Sequence, residues 1–165
     1  MTLAYVSGGS NLDAEQNLLR AAHALKISYP GARFSRVYRN AAIGFEGPEF
    51  LNFVAELPVD GEPGALKAEL ERIEGLCGRP RYAPKWAPRT MDLDILLFGD
   101  RVQELPGLPL PRPQLTNWAF MLGPLAELAP DAMHPTAHRT VGALWRDFDQ
   151  PAHPLVPVPL DLAAA

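Results

Sequence analysis

Met91-Asp92-Leu93-Asp94-Ile95-Leu96-Leu97-Phe98 is the stretch on which the reading of the fold turns. Its length suits one strand. In a strand, residues two apart share a side, so Asp92 and Asp94 face one way while Leu93 and Ile95 face the other. A Gly99-Asp100 turn ends it, with a short hairpin partner expected near Val102. Upstream, Leu66, Leu70, Ile73 and Leu76 recur at helical spacing between about Ala65 and Leu76, and Gly78 is the natural stop. The stretch between, Arg79 to Arg89, has no apolar periodicity and reads as a loop. Earlier still, Phe50 to Glu56 reads as a strand, and Arg33 to Tyr38 as another with one solvated face; a loop from Asn40 to Pro48 joins them. A helix runs from Leu12 with Leu18, Ala22 and Leu25 on one face, stopping at Tyr29-Pro30-Gly31. Leu3 to Val6 is the opening strand. Ser7-Gly8-Gly9-Ser10-Asn11 reads as a tight turn after it, with Ser10 or Asn11 capping the helix.

The order is β-α-β-β-α-β. This predicts an α+β, ferredoxin-like sandwich, in which one antiparallel sheet carries two helices on a face. Leu108 to Pro113 is extended, and Ala119 to Leu128 and Val141 to Phe148 predict additional C-terminal helices. The expected organisation is a single domain over residues 1–149, followed by a Pro- and Ala-rich tail over 150–165 with no amphipathic face and loose order.

Composition narrows the function classes. Hydrophobic residues make up 47% and charged residues 21% of 165, ordinary for a globular chain that buries its own core. The net charge of −4 argues against general nucleic-acid binding, which needs a basic surface to displace counterions. No stretch nears the roughly 18 apolar residues of a membrane span, and the N-terminus lacks the pattern of a signal peptide. The expectation is a soluble, intracellular protein. The lone Cys77 has no disulfide partner and reads as a small buried hydrophobe. His134, His138 and His153 lie in Pro-rich connections and read as surface residues.

Asp92 and Asp94 carry the strongest local chemistry. Two carboxylates converging on one spot repel unless a cation lies between them or one takes a proton. Magnesium suits such a pair, because it takes one or two carboxylates and completes its shell with water and phosphate. A bare Asp-x-Asp is equally two solvated acids at a strand end. Its neighbourhood adds to the signal: Arg79, Arg81, Lys85 and Arg89 precede it, with no acid between Gly75 and Met91. Guanidinium groups beside a metal site are the parts of a polyphosphate site, although a solvated charge run has the same composition. Gly8-Gly9 matches neither a P-loop nor a dinucleotide fingerprint.

Lys85-Trp86-Ala87-Pro88-Arg89-Thr90-Met91-Asp92-Leu93-Asp94-Ile95-Leu96 closely resembles the signature of the 6-hydroxymethyl-7,8-dihydropterin pyrophosphokinase family. Gly9-Ser10-Asn11-Leu12, Tyr38-Arg39 with Gly44, Leu51-Asn52, Arg72-Ile73-Glu74, Gly78-Arg79 and Phe120-Met121-Leu122 fall in the family's order, so the likeness spans Met1 to about Phe148. The resemblance implies transfer of diphosphate from ATP to the pterin in folate biosynthesis, with AMP released. It assigns catalysis to Arg79, Arg89, Asp92 and Asp94, and two magnesium ions to Asp92 and Asp94. It places ATP against Glu74, Arg79, Lys85, Trp86, Arg89, Ile95 and Arg112. The pterin falls to Asn40, Ala41, Ile43, Phe50, Asn52, Trp86 and Phe120, with Phe50 and Phe120 stacking on its ring and the Asn52 amide reading its edge. By residue type alone, Phe50 and Phe120 would equally be core residues.

The chain departs from the family's pattern at named positions. Arg112 stands where a His is usual, Trp118 where an Arg is usual, Phe50 where a Tyr is usual, and Ala41-Ala42 where two prolines are usual. These changes motivate a second reading, a paralogue that binds pterin or nucleotide without efficient catalysis. Partners are expected to be ATP and the reduced pterin, with no nucleic acid and no membrane, on a monomer in the cytoplasm.

Overall fold

The computed structural model describes residues 1–40, 49–78 and 91–165. In chain order the elements are β1 (Thr2–Ser10), α1 (Ala14–Ser28), β2 (Arg33–Phe34), β3 (Val37–Asn40), β4 (Phe50–Val59), α2 (Pro63–Leu76) and β5 (Asp92–Phe98). Then come β6 (Gln103–Leu105), β7 (Leu108–Leu110), α3 (Ala119–Leu128), β8 (Met133–His134), β9 (Arg139–Thr140), α4 (Val141–Arg146) and β10 (Val156–Val158). The result is a mixed α/β fold: the main sheet runs β10-β3-β4-β1-β5 with antiparallel pairings, and β2 also pairs with β4.

Alternation sorts the sheet's side chains into two cores. Ala4, Val6, Phe53, Ala55, Leu57, Leu93 and Ile95 pack against Leu18, Ala22 and Leu25 of α1 and Leu66, Leu70 and Ile73 of α2. On the opposite face Tyr5, Val54, Leu96 and Leu97 pack against Met121, Leu122 and Leu125 of α3. Two irregularities adjust this pattern. The β1–β5 register shifts between Tyr5 and Val6, which leaves Leu96 as an extra residue in β5. Leu96 and Leu97 therefore both reach the α3 side, and the Asp92/Asp94 alternation below them is undisturbed. The single strand expected over Arg33 to Tyr38 breaks at Ser35, whose Oγ accepts from Val54 N at 2.9 Å in place of a ladder carbonyl.

Several expectations are corrected. The supposed turn at Ser7–Asn11 is strand: β1 continues through Ser10, with Gly8 opposite Phe53 and Gly9 opposite Asn52. The N-cap of α1 is Asp13, in left-handed backbone at φ 47°, and neither Ser10 nor Asn11 takes that position. Leu76 is exposed, and Cys77 turns inward in its place, with burial raising its thiol pKa. His134 is buried, its Nδ1 accepting from Ala137 N at 3.0 Å, so it is no surface residue. The tail is not loose: β10 pairs with β3, Val156 opposite Arg39, and Leu162 is buried in the α1/α2 core. Proline hid this strand from pattern reading, yet Pro157 is tolerated because β10 lies at the sheet edge, where a missing N–H costs no ladder bond.

Candidate active site

The register of three strands puts the polar residues in rows on the face opposite α1 and α2. Gly9 of β1 pairs with Asn52 of β4 on one side and Asp92 of β5 on the other. Strands lie about 4.8 Å apart, so the Asn52 and Asp92 backbones are separated by roughly 10 Å. Gly9 has no side chain to fill that interval. A Cβ there would stand 2.5 Å from Asn52 Oδ1, so the amide lies directly over the glycine. The next row is Val54, Ser7 and Asp94. One sheet face thus carries an amide on β4 and two carboxylates on β5, with Gly9 and the buried Ser7 of β1 between them.

At the amide end, Asn52 is only 4% exposed, and its Nδ2 donates to Asn40 Oδ1. Asn40 lies opposite the half-buried Phe50, and alternation sets Phe50 and Asn52 on the same face of β4. Tyr38, opposite Asn52, donates its hydroxyl to Glu127 of α3. Burial and the Glu127 carboxylate push the Tyr38 pKa up to about 12, so the phenol keeps its proton and this tie from β3 to α3. Phe120 is half-buried in the first turn of α3, which packs across β4 and β3. Its ring stacks on Trp118, centroids 5.3 Å apart and planes at 28°.

At the carboxylate end, Asp92 and Asp94 face away from the buried Leu93 and Ile95, as the alternation predicts. Glu74, in the last turn of α2, accepts from Leu93 N at 2.8 Å, which fastens the β5 edge between the two aspartates. Arg112 approaches Asp94 Oδ1 through Nη1 at 3.4 Å. Its own backbone N–H donates to Leu96 O at 3.0 Å, fixing where the side chain starts. Arg112 Nε is buried and has no hydrogen-bond partner among the described residues. The donors here are carboxylates alone: among the described residues no group of three or more His, Cys, Asp and Glu gathers. Two hard carboxylate donors suit magnesium better than a softer metal.

The sequence model described as 7,8-dihydro-6-hydroxymethylpterin-pyrophosphokinase (HPPK) matches residues 5–130. The chain belongs to this family. A 2-amino-4-hydroxy-6-hydroxymethyldihydropteridine pyrophosphokinase of Synechocystis is 40% identical over 117 residues, 71% of this chain and 60% of that protein. The Pseudomonas aeruginosa enzyme of the same name is 40% identical over 135 residues, covering 79% of this chain and 83% of its own. The fold is similar to that of the HPPK-DHPS protein of Plasmodium falciparum, with a TM-score of 0.64 at 14% identity, over 88% of this chain and 43% of that one.

Within the HPPK frame, the described residues gather Asn40, Phe50 and Asn52 at one end of these rows. Asp92, Asp94, Glu74 and Arg112 gather at the other. Ile95 is not brought there: its side chain is 5% exposed and packs in the core on the opposite face. Ala41, Ile43, Arg79, Arg81, Lys85, Trp86 and Arg89 lie outside the described residues. Sequence reasoning missed Gly9, because a glycine pair after a short strand suggests a turn. The available signal was the rule that glycine inside a strand marks a close approach. Among the described residues no helix is long and apolar enough to cross a membrane.

Proposed function

We propose that this HPPK family member transfers the β,γ-diphosphate of ATP to the hydroxymethyl group of 6-hydroxymethyl-7,8-dihydropterin, releasing AMP. The observation that carries this reading is the row Asn52–Gly9–Asp92. A flat donor-acceptor heterocycle needs an amide with fixed orientation, and the Asn40 contact holds that of Asn52. Phe50 and Phe120 supply the apolar faces for its ring. From there the row crosses β1 at Gly9 to reach the carboxylates of β5.

The pterin hydroxyl oxygen forms the new bond to the β phosphorus. The bond from that phosphorus to the α,β-bridging oxygen breaks, AMP leaves with that oxygen, and the hydroxyl proton passes to water. Magnesium bound by Asp92 and Asp94, two ions in this reading, would neutralise charge on the triphosphate. Glu74 keeps the β5 edge in place, and Arg112, a fixed positive charge beside Asp94, serves a phosphate oxygen. Arg79 and Arg89 serve phosphates, and Lys85 and Trp86 the bound substrates, on the strength of the family signature. The strand order β5-β1-β4-β3 with α1 and α2 on one face supports the ferredoxin-like description. We read the enzyme as a cytoplasmic monomer acting on small molecules, with no nucleic acid and no membrane. The net charge of −4 supports the second part.

AMP formation from ATP, with and without 6-hydroxymethyl-7,8-dihydropterin across a magnesium titration, tests the proposal. AMP that depends on both supports it. Folded protein that binds the pterin but forms no AMP at any magnesium concentration replaces it with a binding role.

A further inference from the structure

Trp118 has no part in the reaction as described above, yet its backbone is fixed where α3 begins. Its N–H donates to Gln114 O at 3.1 Å, and its carbonyl accepts from Met121 N at 3.1 Å and Leu122 N at 3.0 Å. It is the N-cap of α3, at φ −116° and ψ 118°. Residues two apart do not face each other along a helix. Because Trp118 is extended while Phe120 is helical, the indole can lie alongside the phenyl ring, and the 5.3 Å, 28° geometry is that of a stacked pair. Both side chains are half-buried at the margin of the α3 core.

A phenylalanine in the first turn of a helix with one side toward solvent has several rotamers open to it. An indole stacked against the ring narrows that choice before any ligand arrives. It also occupies one face of the ring and confines a planar ligand to the other. We infer that Trp118 is a positioning residue for the pterin slot: its stacked indole presets Phe120 for a flat heterocycle and makes no contribution at the phosphates. This rests on the functional reading above. Restricting a binding group to its bound conformation raises affinity without a new contact to the ligand.

The test compares Trp118→Leu, which keeps apolar burial but no flat ring, with Trp118→Phe, which keeps the ring. Pterin binding is measured directly, alongside binding of a non-hydrolysable ATP analogue, KM for each substrate and kcat. The expected result for Trp118→Leu is roughly three- to tenfold weaker pterin binding, the range of one aromatic pair. Its analogue affinity and kcat should stay within about twofold, and Trp118→Phe should restore wild-type pterin affinity. Trp118→Met fills a similar volume with a flexible chain and serves the same purpose if Trp118→Leu fails to fold. Unchanged pterin affinity in the ring-less variant overturns the inference, and so does a loss confined to the nucleotide. Wild-type protein that fails to bind the pterin overturns the functional reading, and this inference with it.

Discussion

Arg112 Nη1 lies 3.4 Å from Asp94 Oδ1, while Arg112 Nε is buried with no partner among the described residues. The pair is partly exposed, and such ion pairs contribute about 0–1 kcal/mol to stability. Arg112→Gln should therefore change the melting temperature little. It should raise KM for ATP by about tenfold or more, since a hydrogen bond to a charged group is worth about 1.5–3 kcal/mol. Asp94→Ala should abolish transfer with the fold intact, read by AMP formation and circular dichroism. Near wild-type turnover in Asp94→Ala would mean the carboxylate holds no metal.

The adjacent glycines should fail differently. A Cβ on Gly8 would meet the Phe53 ring at 2.3 Å in the α1/α2 core, and overpacking there costs about 1–3 kcal/mol. A Cβ on Gly9 would meet the Asn52 amide, the end of a side chain that can rotate away. Thermal melts should show Gly8→Ala as the less stable variant. Pterin titrations should show Gly9→Ala as the weaker binder, by about tenfold or more, because the displaced amide no longer presents its donor and acceptor together. Equal pterin affinities for the two variants would remove Gly9 from the site.

Glu127 joins α3 to β3. Its carboxylate accepts from Arg36 N at 2.8 Å, Arg36 Nε at 3.0 Å and the Tyr38 hydroxyl. Burial pushes its pKa up, but these donors outweigh burial and hold the carboxyl below its ordinary value. A depressed folded-state pKa gives stability that is present above the unfolded value, about 4.3, and is lost as pH falls through the folded one. Glu127→Gln should therefore be less stable than wild type near neutrality, with the difference shrinking as pH drops below about 4. Melting curves of both proteins from pH 3 to 8 check this. A difference that does not vary with pH would assign the tie to packing alone.

Deleting residues 150–165 removes the β10 partner of β3 and the buried Leu162, together with the Ala163 carbonyl to which Lys26 Nζ donates at 2.9 Å. Burial of one leucine alone is worth about 1.5–3 kcal/mol. The melting temperature should fall by roughly 5 °C or more. A truncated protein with an unchanged melting temperature would show the segment to be loosely attached.

Much of the scaffold was legible where burial on one face imposes a period. Leu66, Leu70 and Ile73 marked α2, and Leu93 and Ile95 against Asp92 and Asp94 marked β5; all five apolar positions are buried as their spacing requires. Leu76 broke the pattern because α2 ends there, leaving it outside the core while Cys77 turns inward. The β10 strand carried no periodic signal, since an edge strand's side chains are largely solvated and its pairing lies in the backbone.

The amino-acid sequence by itself determined the β-α-β-β-α-β order of the first part of the chain, the core-facing sides of its helices, the paired carboxylates on one side of a strand and, through a long mixed motif, the family. Those depend on local periodicity or on residue identity, which a linear chain displays. Only the tertiary structure decided that Gly9 separates Asn52 from Asp92 and that Arg112 meets Asp94. Each of these depends on strand register or on the packing of one layer against another. Residues tens of positions apart come into contact only when the whole sheet has formed, and no local pattern along the chain encodes which of them will meet.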